Sequence, residues 1–122
     1  MKLGIVGSGG IVKDVLIALK PINTVEIQAI WVRPHSEAKG QALAQENNIP
    51  QVYTDYEAFL GQADIDTAYI GLVNSAHYEY AKKALLAGHN VIVEKPFGSN
   101  LREVQKLVQL AKENNLFLWE AV

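Results

Sequence analysis

The sequence predicts an α/β fold of three layers, built on a doubly wound parallel sheet, and three observations predict it. Short β-branched runs alternate with helical patterns of roughly 10–15 residues, as successive βα units around a parallel sheet do. Some of these runs are nearly all apolar, which is what a strand covered on both faces requires. A glycine cluster, Gly7-Ser8-Gly9-Gly10, stands directly between the first run and the first helical pattern.

The elements follow in order. Lys2 to Val6 is the first strand. Ile11, Val15 and Leu19, with Val12 and Leu16, then repeat at helical spacing until Pro21 stops the pattern. Val25 to Val32 is the second strand. Ser36 is placed to cap a helix that runs through Ala38, Ala42 and Leu43 towards Asn48. Gln51 to Tyr53 is a short third strand. Asp55 can cap the helix of Tyr56, Phe59 and Leu60, with Gly61 as its expected terminating residue. Thr67 to Leu72 is the fourth strand, and His77 to Ala87 a helix with Gly88 just past its end. Val91 to Val93 is the fifth strand. Asn100 and Glu103 have capping-box spacing before a helix with Leu101, Val104, Leu107, Val108 and Ala111 on one side. Leu116 to Glu120 is the sixth strand. Right-handed crossovers then give the strand order 3-2-1-4-5-6, the Rossmann arrangement.

Composition narrows the function classes. The 122 residues suit one domain, 1–122, with one core. The net charge of -2, with lysines and arginines scattered, gives no reason to expect nucleic acid or a membrane surface as partner. There is no cysteine, so disulfides, thiolate metal sites and cysteine nucleophiles are excluded, and no metal is expected. The apolar run after Met1 is too short for a signal segment or a membrane span, so a cytoplasmic, soluble protein is expected.

The glycine cluster carries the first chemical expectation. Gly7-x-Gly9-x-x-Val12 follows a strand and opens a helix, which is the context that diphosphate binding needs. The first glycine permits the tight turn and the second lets the backbone approach a pyrophosphate. The helix N-terminus adds unpaired N–H groups, so Gly7, Ser8, Gly9, Gly10 and Ile11 are the expected diphosphate cradle. Val12 stands where the pattern asks for a third small residue, which departs from the fingerprint. The plain alternative is a glycine-rich structural turn.

Selective NAD sites usually carry a carboxylate about 20 residues beyond the glycines, at the end of the second strand. Here Ile30-Trp31-Val32-Arg33-Pro34-His35-Ser36 has none. Arg33 can instead meet a 2′-phosphate and stack on adenine, with Ser36 and Lys39 adding contacts, so NADP is favoured over NAD. A solvated surface arginine is the alternative.

Two further segments fall at the carboxyl ends of strands, where ligands of open α/β sheets bind. In Gly71-Leu72-Val73-Asn74-Ser75-Ala76-His77, Asn74 can bond a cofactor ribose or amide. His77 can do the same or simply cap the helix. Glu94-Lys95-Pro96 ends the fifth strand. Glu94 can accept from a hydroxyl, and Lys95 can hold a substrate oxygen and favour a forming alkoxide. Alone, the two charges would read as an exposed ion pair of little consequence.

Together these segments resemble the N-terminal half of the glucose–fructose oxidoreductase, inositol dehydrogenase and rhizopine-catabolism (Gfo/Idh/MocA) family, over essentially the whole chain. The stretch Ala76-His77-Tyr78-Glu79-Tyr80-Ala81, then Ala84-Leu85, Ala87-Gly88-His89-Asn90-Val91-Ile92-Val93 and Glu94-Lys95-Pro96-Phe97, carries most of the likeness. Members typically have Pro-Asn before the histidine and Gly-Lys-His-Val before Glu-Lys-Pro; this sequence has Val73-Asn74 and Gly88-His89-Asn90-Val91. The resemblance implies a pyridine-nucleotide oxidoreductase or dehydrogenase acting on a sugar, polyol or related alcohol or carbonyl. It implies that Lys95 is the catalytic lysine at the nicotinamide, and that Glu94 and Asn74 are close to the cofactor. It also implies a second, substrate-holding domain after the first. The chain ends at Trp119-Glu120-Ala121-Val122, where that domain should begin, so these residues alone are expected to bind cofactor with little turnover. A surface left open there would favour self-association as a homo-oligomer. Two other readings are a non-catalytic NAD(P)-binding redox sensor, which needs no lysine at the nicotinamide, and a Rossmann-like module for CoA or another nucleotide.

Overall fold

The computed structural model describes residues 1–72, 76–94 and 101–121. Six strands form one sheet in the order β3-β2-β1-β4-β5-β6: β1 Lys2–Val6, β2 Glu26–Trp31, β3 Gln51–Tyr53, β4 Thr67–Ile70, β5 Asn90–Glu94 and β6 Leu118–Ala121. Every neighbouring pair is parallel. The helices are α1 Gly10–Leu19, α2 Glu37–Asn47, α3 Tyr56–Gln62, α4 His77–Leu86 and α5 Leu101–Glu113. The expected order and the expected alternation are both present.

Side-chain alternation along the strands explains the three layers. Leu3, Ile5, Ile30, Val32 and Tyr69 pack with Val12 and Leu16 of α1 and Leu43 and Ala44 of α2. The intervening residues Val6, Ala29, Trp31, Ala68, Ile70, Val91 and Val93 pack with Phe59 of α3, Ala81, Ala84 and Leu85 of α4, and Leu107 and Leu110 of α5. Successive residues of one strand thus enter opposite cores, as period 2 demands. Among the described residues no helix is long and apolar enough to cross a membrane.

Local chemistry moves several boundaries. Gly61 does not end α3: it lies inside the helix, which runs on until Ala63 N–H donates to the Phe59 carbonyl. Asp55 does cap it, accepting from Ala58 N–H at 3.2 Å. Ser36 stands at the start of α2 but makes no side-chain capping bond there, because a 3-10 turn over Pro34–Ser36 closes first, with Ser36 N–H donating to the Arg33 carbonyl. β2 starts one residue later than expected, since Val25 N–H is used in a turn to Ile22, and it ends one residue earlier, at Trp31. β4 ends at Ile70, two residues short. β5 is longer by one residue at each end. β6 begins at Leu118, because Asn115 turns left-handed (φ 54°) and Leu116 N–H closes the end of α5 on the Ala111 carbonyl. Gly88 ends α4 as expected, with φ 90°. The Asn100 half of the expected capping box lies outside the described residues.

The amino ends of the strands are tied by Asp66. Its carboxylate accepts from Lys2 N–H at 3.1 Å and from the Thr67 hydroxyl at 2.7 Å. Its carbonyl accepts from Asn90 N–H at 2.9 Å. Partial desolvation alone would raise the Asp66 carboxyl. The Thr67 and Lys2 hydrogen bonds, with the positive charges of the N-terminus and Lys2, outweigh it and hold the group below its ordinary value.

Candidate functional site

The carboxyl ends of β2, β1, β4 and β5 form one rim. Trp31, Val6, Ile70 and Val93 stand in register across it. Three strand spacings separate the outer two, about 14 Å. An extended ligand laid along this rim would have one end at β2 and the other at β5, over the point between β1 and β4 where the chain changes direction.

The turn after β1 is built by Gly7. Its φ is 117°, a region side chains rarely enter, and a Cβ there would lie 2.7 Å from the Gly71 carbonyl oxygen. Its N–H donates to the Trp31 carbonyl at 2.8 Å. Gly7 therefore shapes the turn, and its donor is already committed. The donors that face outward belong to the start of α1. Gly9 is the extended residue before the helix, and Lys13 N–H to the Gly9 carbonyl is the first hydrogen bond of the helical ladder. A Cβ at Gly9 or Gly10 would meet nothing within 4 Å. Among the described residues the space over them is open and no side chain caps them, and no acidic residue occupies the first turn. An uncapped, unshielded helix N-terminus of this kind fits a pyrophosphate. Ser8 is half-buried between the two glycines and Ile11 is exposed beside them.

Val12 is where the sequence departs from the glycine fingerprint, and the structure supplies the compensation on the facing strand. Val12 is fully buried, and Gly71, just after β4, lies against it. A Cβ on Gly71 would come within 2.8 Å of a Val12 methyl. The small residue that close packing needs is thus on the β4 side of the contact. Reading the chain linearly misses Gly71 because its partner is 59 positions away. The available signal was a glycine at the end of a strand adjacent to β1.

At the β2 end, the Arg33 guanidinium lies over the Tyr80 ring, 5.9 Å from its centroid. Tyr80 belongs to an aromatic group with Trp31 (5.0 Å) and Tyr56 (4.7 Å). The Tyr56 hydroxyl donates to the Tyr80 carbonyl at 2.8 Å, and burial pushes the Tyr56 phenol far above its ordinary value. Among the described residues Arg33 has no ion pair. Tyr80 is a second residue that sequence reasoning passed over.

His77 is 1% exposed, and its Nε2 donates to the Leu72 carbonyl. The bond links the first residue of α4 to Leu72, two residues beyond β4, and the side chain is buried. Cofactor contact by His77 stands as an expectation of the sequence beside this hydrogen bond. Glu94 closes β5, half-buried, and desolvation raises its carboxyl above the ordinary value. Asn74 and Lys95, with Pro96, lie outside the described residues.

Comparison with known proteins agrees with this geometry. The family model described as the GFO_IDH_MocA oxidoreductase family, NAD-binding Rossmann fold, matches residues 1–122. A trans-1,2-dihydrobenzene-1,2-diol dehydrogenase of Xenopus tropicalis is 34% identical over 120 residues, 98% of this chain and 36% of the relative. A 3-ketoreductase from Actinomadura kijaniata, solved with NADP and TDP-benzene, superposes with a TM-score of 0.91 at 28% identity, over 98% of this chain and 36% of that one. The scyllo-inositol dehydrogenase from Lactobacillus casei, solved with NAD(H) and scyllo-inositol, gives 0.88 at 26% identity, over 99% and 36%. This chain therefore spans little more than a third of the length of these relatives. With a family match from end to end, the strand order of a dinucleotide fold and an open cradle at α1, the chain belongs to the Gfo/Idh/MocA family of oxidoreductases as its NAD-binding Rossmann fold.

Proposed function

We propose that this chain is the cofactor-binding part of an NAD(P)-dependent dehydrogenase or reductase acting on a sugar, polyol or related alcohol or carbonyl compound. The open, uncapped start of α1 at Gly9 and Gly10 is the observation that carries the reading. The backbone from Ser8 to Ile11 would hold the pyrophosphate, with Gly7 shaping the turn beneath it. Arg33 would meet the adenosine end. Asn74, Glu94 and Lys95 would surround the nicotinamide end, and Lys95 would hold the substrate oxygen and stabilise its developing charge. The bound nicotinamide would supply or accept the hydride.

The relatives' greater length supports placing most substrate contacts in polypeptide outside these residues. Phe117 and Trp119, both exposed on the β6 side, are surface that such a portion, or a second copy, could cover. NADP is proposed over NAD on two grounds: no carboxylate ends β2, and the Arg33 guanidinium has no ion-pair partner among the described residues. Calorimetric titration of the chain with NADPH and NADH tests this. Saturable binding of both, NADPH several-fold the tighter, is expected. Tighter NADH would keep the nucleotide site and remove the Arg33 assignment. A chain folded by circular dichroism that binds neither would overturn the cofactor reading.

A further inference from the structure

We propose that Tyr80 is a positioning residue for cofactor selection: its ring holds the Arg33 guanidinium by one face, at the β2 end of the rim, ready for an adenosine 2′-phosphate. This rests on the reading above that Arg33 meets the 2′-phosphate.

The geometry has three parts. The backbone of Arg33 is set from both sides, since Val32 N–H donates to the Tyr53 carbonyl at 2.9 Å and the Arg33 carbonyl accepts from Ser36 N–H at 2.8 Å. Pro34, next in the chain, restricts Arg33 to extended backbone, observed at φ -62° and ψ 150°. The platform is fixed in its turn. The Tyr80 ring packs against the buried rings of Trp31 and Tyr56, and the Tyr80 carbonyl is held by the Tyr56 hydroxyl. Trp31 and Arg33 are two residues apart, which directs both towards the α4 side of the sheet.

The mode of holding matters chemically. A cation over an aromatic face is attracted through the ring's quadrupole and uses none of its N–H groups. The five guanidinium donors lie in its plane. A carboxylate partner would occupy two of them and would repel a phosphate. Tyr80 brings no carboxylate to the guanidinium, and its ring lies 5.9 Å from the guanidinium carbon, so the donors stay available to a phosphate. The long side chain is thus partly ordered before the nucleotide arrives, which reduces the entropy lost on binding.

The test measures the ratio of NADPH to NADH affinity in four forms of this chain: unaltered, Tyr80→Leu, Tyr80→Phe and Arg33→Ala. Tyr80→Leu is expected to lower the ratio about threefold, the size of an exposed cation–π contact, with NADH affinity unchanged. Tyr80→Phe keeps the ring and should keep the ratio. Arg33→Ala should lower it about tenfold or more, as loss of a charged hydrogen bond does. If Arg33→Ala lowers the ratio and Tyr80→Leu does not, the positioning role is refuted while the Arg33 reading stands. If Tyr80→Leu weakens both nucleotides equally, Tyr80 is structural and the proposal fails. If Arg33→Ala leaves the ratio unchanged, both fail together. A measurement on the unaltered chain covers the case in which Tyr80→Leu does not fold. The Arg33 Nε–H proton resonance should be shifted upfield by the ring and should stay so when adenosine 2′,5′-bisphosphate is added. Its return to an ordinary position would overturn the proposal.

Discussion

The contact between Val12 and Gly71 makes the sharpest prediction, because each residue explains the other. Gly71→Ala puts a methyl 2.8 Å from a Val12 methyl, where real contacts begin near 3.4 Å. The Tyr69 ring, 3.3 Å away, can yield slightly, since its buried hydroxyl has no hydrogen-bond partner among the described residues. Val12 is fully buried on α1 and has little room to move. Overpacking of this kind costs about 1–3 kcal/mol, reduced by some tenths because alanine restricts the unfolded chain. Val12→Ala removes two buried methyl groups and leaves a small void, for about 2 kcal/mol. In the double variant the new methyl at position 71 enters the space that the valine vacated. The double should therefore lose only about 1–2 kcal/mol, less than the two single losses together by about 2 kcal/mol. Urea unfolding followed by circular dichroism and by fluorescence of the buried Trp31 measures all four corners of the cycle. Single losses that add to within about 0.5 kcal/mol would refute the claim that Gly71 makes room for Val12.

Other perturbations separate binding from folding and address pH. Gly9→Ala meets open space at an ordinary backbone angle (φ -78°), so its stability should stay within about 1 kcal/mol while NADPH affinity falls at least tenfold, read by thermal unfolding and calorimetry on one sample. Gly7→Ala should instead lose about 3 kcal/mol or more, from positive φ and a backbone collision that no side chain can relieve; a melting temperature equal to that of the unaltered chain would contradict this. The Asp66 carboxyl is held below its ordinary value, so its contribution is present above the unfolded-state value and is lost as pH falls through the folded-state one. Asp66→Asn should accordingly cost about 1 kcal/mol at neutral pH, a figure kept low by solvent exposure, and the gap to the unaltered chain should close on acidification in parallel urea titrations.

Much of the architecture was legible because it is local. Alternating β-branched runs and helical repeats mark the elements, and the handedness of crossovers turns six parallel strands into one order. The diphosphate turn was legible for the same reason: strand, glycines and helix start occupy eleven consecutive residues, from Lys2 to Val12. Where boundaries moved, a nearby competitor took the hydrogen bond. The 3-10 turn at Pro34–Ser36 pre-empted the Ser36 cap, and the left-handed turn at Asn115 delayed β6. Gly61 was misread because glycine permits a helix end without requiring one.

The sequence by itself determined the order of the elements, the place of the diphosphate turn and the absence of a carboxylate at the end of β2. Only the tertiary structure decided which side of the α1 contact carries the small residue, that the buried His77 donates to the Leu72 carbonyl, and that Arg33 lies over Tyr80. These relations join residues on different elements. They depend on strand register and on how closely a helix approaches the sheet, which spacing along one chain does not encode.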